Sequence, residues 1–121
     1  MSGAMAISLQ TYWSTLGVTF AGDKDDRQLT MAFGPILIGR PGFLHGGAIA
    51  GILSLACDVL AGDDARCFTS TFQFLRAARE GDLHAIASLA RGSSIATLTA
   101  FAWQDDRARP VASTCRKYRI N

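Results

Sequence analysis

Four small or polar residues recur along an otherwise apolar segment. Gly47, Gly51, Ser54 and Asp58 follow the spacing i, i+4, i+7, i+11, so a helix turning about 100° per residue places them on one face. The glycines at the start leave backbone N–H groups that can meet an oxygen at the positive helix end. A hydroxyl and a carboxylate further along can position or activate water. The spacing favours a ligand channel; the alternative is a groove for another backbone.

The segment that carries this stripe predicts one buried helix. From Ala48 to Ala61 only Ser54 and Asp58 are polar, and Gly62 suits the left-handed residue that ends a helix. About 16 residues at about 1.5 Å rise are too few to span a bilayer. A helix that is apolar nearly all round must be covered, so we expect the rest of the chain to wrap it.

Segments on both sides of the helix alternate apolar and polar residues as β-strands do. They are residues 18–20, 28–33, 68–74, 83–90, 95–103 and 111–120. Short connections between them leave no room for crossover helices, which predicts an antiparallel meander around the helix. The third strand is expected to present Phe68, Ser70, Phe72 and Phe74 on one face. A short amphipathic helix is predicted over residues 5–16.

Composition bounds the class of protein. The 121 residues are 49% hydrophobic and 18% charged, with a net charge of +2, which predicts a single domain over residues 1–121 and gives no support for nucleic acid or membrane binding. Three cysteines without a C-x-x-C pair and no visible secretory signal favour reduced thiols in the cytoplasm. Neither His45 nor His84 has partners at the spacing of metal ligands, so no metal site and no Ser-His-Asp triad is expected.

Three stretches together resemble a known family. His45-Gly46-Gly47-Ala48-Ile49-Ala50 opens the predicted helix, Phe72 to Ala78 leads to Gly81-Asp82-Leu83, and Arg91-Gly92-Ser93-Ser94 forms a later turn. Over about residues 5 to 120 the pattern is similar to the hotdog-fold acyl-CoA thioesterases of the phenylacetate-degradation (PaaI-like) type. The resemblance implies an α+β hotdog fold, with a long central helix wrapped by a curved antiparallel sheet of about five to six strands. It also implies dimers joined through that sheet and an acyl-CoA bound at the subunit interface.

The resemblance also suggests how a thioester would be hydrolysed. The N–H groups of Gly46 or Gly47 would polarise the carbonyl, and His45 would orient that turn or cap the helix. The relatives usually carry a carboxylate nine residues after the histidine and often an amide six residues before it, where this chain has Ser54 and Gly39. Asp58 would then serve as the base through a bridging water. Alternatively, Ser54 only positions water, or the pocket binds acyl-CoA without cleaving it.

The remaining candidates concern the substrate. The turn Arg91-Gly92-Ser93-Ser94 offers a cation, amides and hydroxyls for CoA phosphates, and Arg76 lies near another turn; solvated turns are the alternative. Cys67 is expected either to line the pocket or merely to pack. We therefore expect a cofactor-independent thioesterase for medium-chain or aromatic acyl-CoA. The alternatives are a non-catalytic acyl-CoA binder, a ligand-free structural dimer and a hotdog dehydratase. Open sheet edges predict at least a homodimer, with a dimer of dimers left open.

Overall fold

One helix and six strands make up the part of the protein that its structure, a computed structural model, describes: residues 18–21, 28–31 and 46–120. The elements are β1 (Val18–Ala21), β2 (Gln28–Met31), α1 (Gly46–Ala61), β3 (Ala65–Phe74), β4 (Leu83–Arg91), β5 (Ile95–Trp103) and β6 (Ala112–Ile120). The predicted helix over residues 5–16, Gly39 and His45 lie outside the described residues. Within these ranges, no helix is both long enough and apolar enough to cross a membrane.

The strands form one antiparallel sheet in the order β1-β2-β4-β5-β6-β3. The prediction of a simple meander was wrong for β3, which pairs with β6 at one edge instead of with β4. Residues 75–82 carry the chain back to β4 past the ends of β6 and β5. This crossing spans three strand spacings of about 4.8 Å, well within reach of eight extended residues.

The core lies between α1 and one face of the sheet. The largest fully buried side chains come from the helix and from alternate positions on the strands: Leu29, Met31, Ile52, Leu53, Cys57, Leu83, Leu98 and Tyr118. Small residues fill the spaces between them on β4, β5 and β6, namely Ala85, Ala96, Ala100, Ala102 and Ala112. Because alanine is short, the helix can lie close to the sheet. Each large buried side chain adds about 1.5–3 kcal/mol of stabilisation.

The helix runs beside β6 in the same direction. Ser54 and Asp58 contact Arg116 and Tyr118 in that order along the two elements. The start of α1 therefore lies at the end of the sheet where β3 finishes and β6 begins. The helix finishes at the opposite end, where Gly62 adopts the predicted left-handed conformation with φ +92°.

A β-bulge interrupts β3 between Cys67 and Thr69. Residues on either side keep their partners on β6, but Phe68 has none, so the expected aromatic face is broken. The Phe68 ring instead lies 5.5 Å from the Arg119 guanidinium carbon. Arg119 lies between the inward-facing Tyr118 and Ile120, so this contact is on the face of the sheet away from the helix.

Candidate active site

The predicted stripe forms the open side of α1. Gly47 is exposed, Gly51 and Ser54 are half-buried, and the side chain of Asp58 is 53% exposed. The other faces of the helix hold its buried residues, which pack on the sheet. The described residues thus leave this stripe uncovered, as a ligand channel requires.

Arg116 is the centre of the polar contacts around this stripe. Its Nη1 donates to Ser54 Oγ at 2.9 Å and to Ser70 Oγ at 3.2 Å, and its Nη2 lies 3.4 Å from Asp58 Oδ1. The Arg116 side chain is only 13% exposed. One guanidinium therefore joins the helix to the edge strand β3. We call the set Ser54, Asp58, Ser70, Arg116 and Tyr118 the Arg116 cluster.

Tyr118 completes this cluster from beneath the helix. Its hydroxyl donates to Asp58 Oδ1 and accepts from Arg116 Nε at 2.8 Å. Burial, reinforced by the hydrogen bond to Asp58, raises the pKa of Tyr118, which therefore remains a protonated donor. Burial would lower the pKa of Arg116, but the Tyr118 hydrogen bond and the Asp58 charge outweigh it and raise that pKa.

The Asp58 carboxylate is held on one oxygen and open on the other. Oδ1 takes the contacts from Tyr118 and Arg116, whereas Oδ2 accepts no hydrogen bond from the described residues. A carboxylate has lone pairs on both oxygens. Oδ2 can therefore accept a proton from a water on the exposed side of the helix.

Gly46 and Gly47 form an exposed helix start. A Cβ placed on Gly46 would meet no atom of residues 18–21, 28–31 or 46–120 within 4 Å, and the first turn contains no acidic residue that would compete for its N–H groups. Backbone donors at a helix start attract an oxyanion. The space that a side chain would occupy here is available to a ligand or a second chain.

The start of the helix lies far from the Arg116 cluster along the helix axis. At about 1.5 Å per residue, Ser54 lies about 12 Å and Asp58 about 18 Å along the axis from Gly46. A single thioester group is far smaller than either distance. Groups at both places can act on one thioester only if they come from different chains.

The three cysteines differ in environment, and all are free thiols. Cys57 is fully buried in α1, and burial raises the pKa of its thiol to about 12. Cys67 is exposed and donates through Sγ to the carbonyl of Thr69 at 3.2 Å. Cys67 pairs with Tyr118 and so faces the helix side. Among the described residues, no group of three or more His, Cys, Asp or Glu could hold a metal ion.

The predicted phosphate-binding residues lie at opposite ends of the sheet. Arg76 donates to the carbonyl of Pro110 at 3.3 Å and borders a cleft of about 370 Å³ at the end where α1 begins. The charged lining of that cleft is Arg76, Arg79, Glu80, Asp82, Asp105, Asp106 and Arg109. Acids outnumber arginines there, which disfavours phosphate. Turn 91–94 is exposed at the other end, where Ile120 N donates to Ser94 O at 2.9 Å.

Sequence reasoning missed Arg116, Ser70 and Tyr118. The signal was present in β6, where Ala112, Thr114 and Tyr118 share one face and are buried. Arg116 has the same parity, so its charge must face the helix. A buried arginine needs acceptors, and the stripe on α1 supplies them.

Comparisons with known proteins identify the family and the fold. Residues 38–116 match the family described as the acyl-CoA thioesterase N-terminal domain. The PaaI protein of the phenylacetic acid degradation operon of E. coli shares 20% identity, with a TM-score of 0.82 over 98% of this chain and 90% of that one. A thioesterase variant from Staphylococcus aureus shares 17% identity, with a TM-score of 0.79 over 92% and 98%.

A further similar structure is a protein from Pseudomonas aeruginosa with 21% identity and a TM-score of 0.81, covering 95% of this chain and 93% of that one. At these identities the likeness concerns the fold, which is the predicted hotdog arrangement of one helix against a curved antiparallel sheet. A comparison with curated proteins finds no significant match.

Proposed function

Because the chain belongs to the acyl-CoA thioesterase family, a family of thioester hydrolases, we propose that it hydrolyses acyl-CoA at a site shared by two copies. The observation that carries this proposal is the Asp58 carboxylate, fixed by Tyr118 and Arg116 on the open face of α1. It is the acidic side chain that the structure both orients and leaves accessible on this stripe.

The reaction divides between the two halves of the site. A backbone N–H at the helix start of one subunit, that of Gly46 or Gly47, holds the thioester carbonyl oxygen as negative charge develops on it. Asp58 of the other subunit accepts a proton from water as the water oxygen bonds to the carbonyl carbon. The C–S bond then breaks, and the departing thiolate receives that proton. His45 adjoins the oxyanion site in sequence and is proposed to orient it.

The edge strand β3 is the proposed dimer contact. It has ten residues, most of them exposed, and an open edge offers unpaired backbone groups to another strand. Antiparallel pairing of two β3 edges about a two-fold axis places the β3 start of one chain beside the β3 end of the other. The helix start of one subunit then lies at the same end of the joined sheet as Asp58 and turn 91–94 of its partner.

Apolar surface near the helix start suits the acyl group. Phe74 and Leu75, at the end of β3, are 57% and 51% exposed, and Phe72 is half-buried against the core. Contiguous exposed apolar side chains commonly mark a binding surface. We propose that they receive a medium-chain or aromatic acyl chain, with Cys67 further along the same strand as an additional lining residue.

The decisive experiment measures free thiol release from a panel of acyl-CoA substrates. Wild type is compared with Asp58→Asn and with Asp63→Asn, which removes a charge from the exposed turn after α1. We expect Asp58→Asn to lower kcat by about 10²- to 10⁴-fold, the usual contribution of a general base, and Asp63→Asn to leave it unchanged. Unchanged thiol release by Asp58→Asn would reject this base.

A non-catalytic acyl-CoA binder is the second candidate. The specific observation in its favour is Ser54, a neutral hydroxyl held by Arg116 at the centre of the stripe, where it cannot act as a carboxylate base. Such a protein would bind acyl-CoA in calorimetry but release no thiol from any member of the panel.

A further inference from the structure

We propose that Arg116 is a positioning residue that fixes the hydroxyls of Ser54 and Ser70 as hydrogen-bond donors to the bound thioester. The inference rests on the proposed function, since it places the thioester on the open face of α1. It assigns to this face a donor site that is separate from the helix start. The site would recognise the acceptor atoms of a thioester, its carbonyl oxygen and its sulfur.

The direction of these hydrogen bonds follows from the chemistry of arginine. A guanidinium has only donors, so Ser54 Oγ and Ser70 Oγ both accept from Arg116 Nη1, at 2.9 and 3.2 Å. Each serine therefore keeps its own proton for another acceptor. Within residues 46–120, neither hydroxyl donates to the backbone or to another side chain. Two hydroxyl protons thus remain for a ligand.

The orientation of Arg116 is over-determined. Nε donates to Tyr118 and Nη2 faces Asp58, while Nη1 serves both serines. A planar guanidinium fixed at all three nitrogens cannot turn away without losing several contacts at once. Its side chain is also mostly buried, where a nearby charge polarises a hydrogen-bond chain more strongly than in water. Arg116 therefore strengthens the serine donors as well as holding them.

The cluster consequently has separate acid and base sides. Ser54 and Ser70 can stabilise negative charge that develops on the thioester, whereas the free oxygen of Asp58, one helical turn from Ser54, can receive a proton. Ser54 acts here as a donor and never as the base. This assignment predicts opposite results for substitutions that keep or remove its proton.

The test compares four substitutions by kcat, KM and thermal unfolding. We expect Ser54→Ala to lower kcat by about 10- to 100-fold and to raise KM by only about threefold, because a donor to a developing charge acts mainly in the transition state. The unfolding temperature should fall only slightly, since Arg116 Nη1 keeps Ser70 as an acceptor. Ser54→Thr keeps the hydroxyl and should retain most activity. Ser54→Asp should lose activity, since an ionised carboxylate has no proton to donate. Ser88→Ala is the matched control, because Ser88 bonds to Thr99 Oγ1 at 2.9 Å on the other face of the sheet.

The role of Arg116 is tested by combining its substitution with that of Ser54 and comparing kcat of the single and double variants. Arg116→Gln should lower kcat, and adding Ser54→Ala should lower it less than about twofold further, since the serine has already lost its orientation. Effects that multiply in the double variant would overturn the inference. Activity above wild type in Ser54→Asp would overturn it as well, because a carboxylate would then be preferred at this position.

A binding measurement separates this inference from the proposed function. The probe is a ketone analogue of an aromatic acyl-CoA in which a methylene replaces the thioester sulfur, so it cannot be hydrolysed. If wild type releases no thiol but Ser54→Ala binds the analogue at least about threefold more weakly, the donor site stands and hydrolysis fails. If wild type hydrolyses substrate while Ser54→Ala matches it in both kcat and analogue affinity, the donor site fails and hydrolysis stands.

Discussion

The hydroxyl of Tyr118 on β6 donates a hydrogen bond to Oδ1 of Asp58 on α1. This contact joins the sheet to the open face of the helix and ties the proposed base to the core, because Tyr118 is fully buried. The same hydroxyl accepts from Arg116 Nε. One phenol therefore connects the stability of the fold to the geometry of the site.

Removing this hydroxyl should cost both stability and activity. Tyr118→Phe leaves Arg116 Nε without its acceptor and takes a donor from Asp58, so the free energy of unfolding should fall by about 1.5–3 kcal/mol, as for hydrogen bonds to charged groups. Urea unfolding followed by fluorescence measures the change. An unfolding midpoint equal to that of wild type would show that water replaces the contact without loss.

Gly46→Ala should separate activity from folding. The added Cβ meets nothing within 4 Å among the residues that the structure describes, and alanine favours the helix, so stability should stay equal or rise. Activity should fall at least about tenfold, because the methyl group occupies space needed by the acyl group or the second subunit. Full activity would show that this space is not part of the site.

Gly62→Ala provides the opposite case. Gly62 has φ +92°, so alanine is strained there and should cost about 1–2 kcal/mol of stability. Its kcat should stay near that of wild type at temperatures where the variant is folded. The pair Gly46→Ala and Gly62→Ala thus tests whether a loss of activity follows a loss of stability.

Two inactive variants should restore activity when they form mixed dimers. Gly46→Val disables the oxyanion side and Asp58→Asn disables the base. After joint unfolding and refolding, half of the randomly paired dimers are mixed, and each has one intact shared site. We expect about a quarter of the wild-type activity. Activity no greater than that of either variant refolded alone would place both groups in one chain or reject one of them.

Arg91→Ala should weaken recognition of the nucleotide portion of CoA. Turn 91–94 presents an exposed cation and backbone N–H groups, which suit phosphate. KM should rise about 3- to 10-fold for acyl-CoA but stay unchanged for an acyl N-acetylcysteamine thioester, which lacks phosphates. Arg107→Ala is the control, since that guanidinium lies 5.2 Å from the Trp103 ring centroid. An equal rise in KM for both substrates would show that Arg91 does not act on the phosphates. The same assay with Arg76→Ala tests the second predicted phosphate ligand.

Alkaline pH should destabilise the protein through Cys57. Burial raises the pKa of its thiol from 9.0 to about 12, so the folded state favours the neutral thiol. This stabilisation is complete below pH 9 and is lost as pH rises towards 12. The total loss of unfolding free energy is at most about 4 kcal/mol. Unfolding free energies measured at increasing pH above 9 should decline less steeply in Cys57→Ala. An equally steep decline in wild type and Cys57→Ala would contradict the role of Cys57. The decline that remains in Cys57→Ala is attributed to Tyr118, whose pKa is also raised.

The elements could be predicted from periodicity because each is a local pattern. The apolar run gave the central helix, and the strand from Ile95 to Trp103 was predicted at its observed bounds. Strand order could not be predicted in this way, because alternation shows which residues share a face and not which strand lies beside it. The edge position of β3 follows instead from nine residue pairs with β6, including Phe74 with Ala112.

The site was predictable only in part for the same reason. The stripe from Gly47 to Asp58 lies within one helix, so its residues could be found from spacing. The contacts of Arg116 with Ser54 and Ser70 join residues more than 40 positions apart, and no local pattern relates them. The separation of turn 91–94 from Gly46 likewise depends on a long-range relationship, the direction of the helix relative to β6.

The bulge at Phe68 gives β3 one extra residue that has no partner on β6. Elsewhere in the strand, deleting a residue would reverse which face every later side chain occupies. Deleting Phe68 would leave Cys67 opposite Tyr118 and Thr69 opposite Lys117, as both already are, and would sacrifice chiefly the contact with Arg119. The edge strand can therefore change length at this single position while Ser70 still reaches Arg116.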